Sequence, residues 1–179
     1  MAYIFTEPRA GLPAITSHAA PAAVETVGST AITDILVPLG TVAKAVDPTY
    51  GEGTFIRLLG VGSTVVGSLV TFNATTHQTA LSPTTGNNAG PVAVAMSACV
   101  AGEHGWYQIR GLAVIKKTGV AVSPQVAIFV SATAGKIKVA ASAGLQVLGA
   151  RTANLTTVVT TTSTVVVAIN DPHLQGQIT

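Results

Sequence analysis

The residues able to do chemistry are few, and one short stretch holds several kinds of them. From Gly102 to Gly111 the chain reads GEHGWYQIRG, which holds the single tryptophan, one of four histidines and one of seven acidic residues. Cys99, the single cysteine, lies just upstream. The chemistry this set would offer is thiol catalysis, with Cys99 as nucleophile, His104 as base and Glu103 orienting the imidazole. The spacing argues against it. All three sit within a handful of residues around a turn, and neighbours on a strand point to opposite faces, so they do not converge on one point. A cysteine set among Ala, Val and Met is ordinarily a small core residue. The expectation is a chain with no catalytic residue.

Metal and nucleotide chemistry are no better supplied. His18, His77, His104 and His173 are far apart, and no H-x-x-x-H, C-x-x-C or D-x-[DN]-x-[DN]-G pattern occurs. Gly60, Gly62 and Gly67 miss the spacing of a dinucleotide loop, and Gly135-Lys136 lacks the flanking residues of a phosphate loop. No metal and no cofactor are expected. A glycan-binding or depolymerising appendage, with Trp106 and Tyr107 facing a sugar, is an alternative. Hydrolysis wants paired acids, however, and beyond Asp47 only Glu52, Glu103 and Asp171 remain.

The elements that must position these residues are strands. Gly102 to Gly105 suits a tight turn, after which apolar Tyr107, Ile109, Ala113 and Ile115 alternate with Trp106, Gln108 and Arg110. One apolar and one more polar face follow, with a bulge or close backbone approach at Gly111. Trp106 then reads as a packing or interface anchor and Arg110 as a rim contact. From Thr54 onward, runs such as TFIRLLGV, SLVTF, PVAVAMSA, LAVIKK, QVAIFVS, KIKVAA, QVLGAR and STVVVAIN are separated by Gly, Pro, Asn, Ser or Thr. That pattern predicts an all-β fold, a sandwich or a barrel, with the compact body over residues 54–179. TVAKAV, residues 41–46, fits one helical turn or another strand. Residues 64–81 resemble residues 121–140, a hint of two similar β units.

Residues 1–53 read as a long extended N-terminal arm with partial strand content, carrying five of the nine prolines. The arm is apolar rather than disordered in composition, and Tyr3, Phe5, Ile35 and Val37 are its candidate interface residues. An apolar arm needs a surface to lie on, and a neighbouring copy can supply it.

Composition points the same way. Only 9% of the 179 residues are charged, against about a quarter in ordinary soluble domains, while 48% are hydrophobic. Much of the surface is therefore expected to be buried against other chains. The net charge is +2 and the basic residues are scattered, Lys116-Lys117 being the densest pair, so no direct nucleic-acid partner is expected. The uncharged stretch between Leu58 and Gly102 is broken by Ser63, Asn73, His77, Pro83 and Asn87, so no membrane partner is expected either. MAYIFTEPRA does not read as a secretory signal.

With the runs placed, PLGTVAKAVDPTYGEGTFIRLLGVGSTVVGSLVTF, GPVAVAMSACVAGEHGWYQIRGLAVIKKTG and the ending DPHLQGQIT resemble the capsid decoration (cement, or head-stabilising) proteins of tailed bacteriophages. The resemblance covers about Pro38 to the end and leaves residues 1–37 unmatched. It implies a β-barrel or β-tulip-like homotrimer bound to the major capsid protein. Its place would be the outer surface of the virion, at capsomer junctions of the icosahedral head, where it would hold the shell against internal DNA pressure. Another phage structural subunit, of shell or tail, is the rival reading. A shell lattice subunit of the common type wants a long helix that the sequence lacks.

Overall fold

The computed structural model describes residues 3–6, 12–20, 23–27, 30–33 and 37–178. Every regular element among them is a strand, so the all-β class expected from the sequence is the one found. In chain order they are β1 (Ile4–Phe5), β2 (His18–Ala19), β3 (Ala23–Val27), β4 (Thr30–Thr33), β5 (Val42–Asp47), β6 (Gly51–Leu59) and β7 (Leu69–Phe72). Then come β8 (Thr79–Leu81), β9 (Ala89–Ala95), β10 (His104–Lys116), β11 (Ala127–Val130), β12 (Ile137–Lys138), β13 (Gln146–Thr152) and β14 (Thr164–Gln175). TVAKAV is strand, not helix. It pairs in full with β6 across a tight turn in which the Asp47 carboxylate accepts from the Thr49 and Tyr50 backbone N–H groups at 2.8 and 3.0 Å. Strand β6 thereby runs across the expected arm–body boundary at 53/54.

Twelve strands form one antiparallel sheet whose main path is β1-β5-β6-β10-β9-β14-β13-β11-β12, while β3 and β4 pair with each other as a separate hairpin. Among the described residues no strand pairing joins β1 to β12, the two ends of that path, while an isolated bridge between Lys117 and Ile137 links the residue after β10 to β12. The long strand β10 organises the whole. Its first half pairs with β6 on one side and touches β9 on the other, and its second half pairs with β14 from Arg110↔Asn170 to Lys116↔Thr164. Beyond Asp171-Pro172 strand β14 leaves β10 and pairs with the start of β9, so the two long strands fork around β9. Asp171 sits at φ 44°, and there the chain turns at the fork without ending the strand.

The internal repeat has a structural counterpart. The hairpin β7–β8 and the hairpin β11–β12 are each followed by a strand, β9 or β13, that pairs back onto the hairpin's first strand and also onto β14. The two units meet where the Gly135 N–H donates to Ser82 Oγ at 3.0 Å.

Three apolar clusters result. The largest joins β7, β9, β11, β13 and β14 to the second half of β10, through Leu69, Val94, Ile115, Ile128, Val147 and Val167. A second contains Leu58, Val70, Ala93, Ala95, Cys99 and Tyr107. The third, built where the N-terminal residues lie on the sheet, holds Ile15, Val37, Ala45, Phe55, Met96 and Trp106, with Tyr3, Phe5 and Leu12 against it. The sequence reading of β10 needs one correction. Trp106, Tyr107 and Gln108 are all fully buried, because cover from the N-terminal residues on one side and the β7–β9 region on the other leaves that half no polar face. Of the two readings of Gly111 the close approach is the one found, since a Cβ there would meet the Glu52 carbonyl oxygen at 2.5 Å, and the register shift with β6 falls between Gln108 and Arg110.

Candidate functional site

Around the GEHGWYQIRG turn the groups a thiol relay would need go separate ways. Glu103 Oε2 accepts from the Val100 backbone N–H at 3.0 Å and pairs with His18 Nδ1 at 2.7 Å, contacts that hold its carboxyl below the usual carboxylate range. The carboxylate thus ties the β2 segment to the head of β10 and does not orient His104. Cys99 is buried, its thiol donates to the Glu103 carbonyl at 3.2 Å, and burial pushes its pKa up, away from a thiolate. His104 is shifted downward by burial and by the positive charge of Arg57. Among the described residues no three His, Cys, Asp or Glu side chains are grouped as metal ligands would be. No helix there is long and apolar enough to cross a membrane.

Three of the four arm candidates and Trp106 do come together, within one chain. Strand β1 adds to the edge of β5 with Ile4 opposite Val46 and Phe5 opposite Ala45. Alternation then sends Phe5 inward, where its ring meets Trp106 edge-on at 5.6 Å, while Tyr3 meets Phe55 at 4.8 Å. The Trp106 Nε1–H donates to the Pro13 carbonyl at 3.1 Å, and the Tyr3 hydroxyl donates to the Leu112 carbonyl at 3.0 Å. Buried Gln108 spends its Nε2 on the Arg110 and Leu112 carbonyls, both at 3.0 Å. Val37 joins the same cluster; Ile35 lies outside the described residues. Trp106 is therefore covered by its own chain and offers no stacking platform to a sugar. Arg110 is apart from this group. It is exposed at the fork, where Nε donates to Asp171 Oδ2 at 2.9 Å and Nη2 reaches the same oxygen.

The other side of the β1–β5 edge is different. Because Phe5 and Ala45 point in, their neighbours Ile4, Val46 and, four residues back, Val42 point out, and they keep 69%, 43% and 50% of their surface exposed. The exposed Lys44–Glu52 pair, at 3.2 Å, interrupts this apolar corner. Beside it lies a groove of about 470 Å³ bordered by Val42, Thr54, Ile109 and Arg110. A second groove, of about 390 Å³ around Phe72, Pro91 and Leu174, shares Ile109 and Asp171 with the first.

Two residues of consequence were not singled out from the sequence. Lys117, read only as half of the densest basic pair, is buried, and its Nζ donates to the carbonyls of Val120 at 2.8 Å, Val159 at 3.0 Å and Thr118 at 3.4 Å. Arg57 stands over the Trp106 ring at 5.5 Å. Its signal was a lone charge inside the apolar run TFIRLL. The outward face of β5 was legible in the alternation of VAKAVD, once that segment is taken as a strand.

Comparison with known proteins finds no matching family model, no matching curated protein and no matching solved structure.

Proposed function

We propose that this chain is a structural virion protein, a capsid decoration protein of a tailed bacteriophage. It assembles as a homotrimer on the outer surface of the head, contacts the major capsid protein at capsomer junctions and braces the shell against packaged DNA. The observation that carries the reading is the outward apolar corner of Ile4, Val42 and Val46, set beside a groove at the open end of the sheet. A sheet edge with uncovered β-branched side chains invites another chain, and a chain with so few charges has little else to keep that edge solvated. The resemblance of the segments from Pro38 onward to decoration proteins supplies the identity of the assembly. The separation of Cys99, His104 and Glu103 into unrelated contacts agrees with a role in which no bond is made or broken.

The test is to mix the full chain with heads of the encoding phage that lack it, then measure co-sedimentation and locate the chain by imaging. Wild type is expected to sediment alone as a trimer and to saturate the heads. Val42→Glu with Val46→Glu should keep the monomer's melting temperature within a few degrees while reducing trimer formation or head binding at least tenfold. A wild-type chain that stays monomeric and never binds heads overturns the proposal. Copies found on the tail instead would transfer the chain to the rival class of tail components.

A further inference from the structure

The described part of the arm, residues 3–6 and 12–19, lies on a seat made by β5, β6 and β10, and its ladders there are short. Strand β1 pairs with β5 over Ile4–Phe5, and β2 pairs with the head of β10 over His18–Ala19. Between them the Pro13 carbonyl accepts from Trp106, and Ile15 is buried in the cluster of Phe55 and Met96. At the far end His18 meets Glu103 at 2.7 Å. The chain then passes through the β3–β4 hairpin, which pairs with no strand of the main sheet among the described residues, and rejoins the cluster at Val37. These seat contacts are the same whichever copy supplies residues 3–19.

We infer that in the homotrimer of the proposed function, on which this inference rests, residues 3–19 of each copy cross to the next and fill there the seat they fill in the separate chain. Area argues for the exchange. The outward side chains of Ile4, Val42 and Val46 carry about 100 Å² each, well short of the roughly 800 Å² per partner that a stable interface needs. An exchanged arm adds Tyr3 and Phe5, at about 150–250 Å² each, with Leu12, Ile15 and the two ladders, all against a seat that already fits them. Reach permits it. With the hairpin kept, residues 20–22 and 34–36 extend about 20 Å, and with it drawn out residues 20–36 extend about 55 Å. Passed head to tail around three copies, the exchange closes and leaves no empty seat. Each outward corner is then composite, with Ile4 from one copy and Val42 and Val46 from the next. Trp106 stays covered in both forms, by its own arm in the separate chain and by its neighbour's in the trimer.

The experiment joins arm to seat covalently in the full chain. Ala19 stands directly opposite His104, at a Cα separation of about 4.5–5.5 Å that a disulfide spans. Ala19→Cys with His104→Cys, in a Cys99→Ala background, is oxidised and read by sedimentation and by denaturing gel without reductant. Exchange should give covalent species of two and three chains that reduction returns to one. A trimer by sedimentation whose oxidised chains all run singly overturns the exchange and leaves the functional reading standing. A chain that sediments as a monomer removes the functional reading, and the exchange with it. If the variant does not fold or oxidise, wild type decides: labelled and unlabelled chains are unfolded, mixed and refolded, and isotope-filtered nuclear Overhauser spectra are recorded. Cross-peaks between the Phe5 and Trp106 rings of different chains are expected, and their absence from a trimer overturns the inference.

Discussion

Replacing Trp106 with alanine separates a residue that holds one chain together from a residue waiting for a partner. The ring is fully buried, and truncation removes the edge contact with Phe5 at 5.6 Å, the hydrogen bond to the Pro13 carbonyl at 3.1 Å and the stacking of Arg57 at 5.5 Å. Those terms overlap with the cavity left behind, so the total is set by the truncation itself, about 3–5 kcal/mol. For a chain of 179 residues that lowers the melting temperature by about 6–20 °C, at roughly 2–4 °C per kcal/mol. Trp106→Phe keeps an aromatic face for Phe5 and loses chiefly the N–H donor and some volume, for about 1–2 kcal/mol. Urea unfolding followed by far-ultraviolet circular dichroism measures both, since the substitution removes the single tryptophan that fluorescence would use. In wild type the same indole should emit at short wavelength and resist acrylamide. A cost below about 1 kcal/mol for alanine, or an indole quenched like free tryptophan, would refute the view that Tyr3, Phe5 and Pro13 cover this ring in cis.

Other substitutions probe the remaining parts. Lys117→Met strands three backbone carbonyls that the ammonium now joins; offset by relief of the buried charge, it should cost about 2–4 kcal/mol in urea unfolding and free residues 118–120 and 159 for faster amide exchange. Gly111→Ala forces a Cβ against the Glu52 carbonyl at φ +100° and should cost about 2–4 kcal/mol, whereas Gly51→Ala, at φ +72° with open space around it, should cost about 1 kcal/mol. The depressed carboxyl of Glu103 contributes stability that is present above the unfolded glutamate value, about 4.3, and is lost as pH falls through the folded value. Below pH 4 the stability of Glu103→Gln should therefore fall less steeply than that of wild type, as read by chemical denaturation at a series of pH values.

How far the sequence could be read depended on whether a residue's neighbours were local. The strands from TFIRLL to STVVVAIN were visible because β-branched runs end at turn residues, and that signal needs no tertiary knowledge. GWYQIR and LAVIKK read as two runs but form one strand, because Gly111 lets β10 continue past the close approach of Glu52. STVVVAIN reads as a run ending at Asn170, but the turn at Asp171-Pro172 carries β14 onward from β10 to β9. The apolar character of Tyr3, Phe5, Val37 and Trp106 was plain, yet which surface they meet is a matter of chain path, and composition is silent on it. For the same reason Arg57 and Lys117 were read only among the scattered basic residues. Their burial is decided by residues far away in sequence, Trp106 for one and Val159 for the other.

The position of β14 also constrains how the molecule comes into being on the ribosome. The partners of its residues 164–175 on β9, β10 and β13 are all translated earlier, and until it emerges the main-chain groups that pair with it are unclaimed. At roughly 5–20 residues per second of elongation, β9 precedes β14 by several seconds, time in which nascent chains on one polysome hold out matching unsatisfied ribbons. Slow, long-range closure of this kind rewards whatever keeps those ribbons apart, and a truncation just before Thr164 should yield insoluble material rather than a smaller folded body.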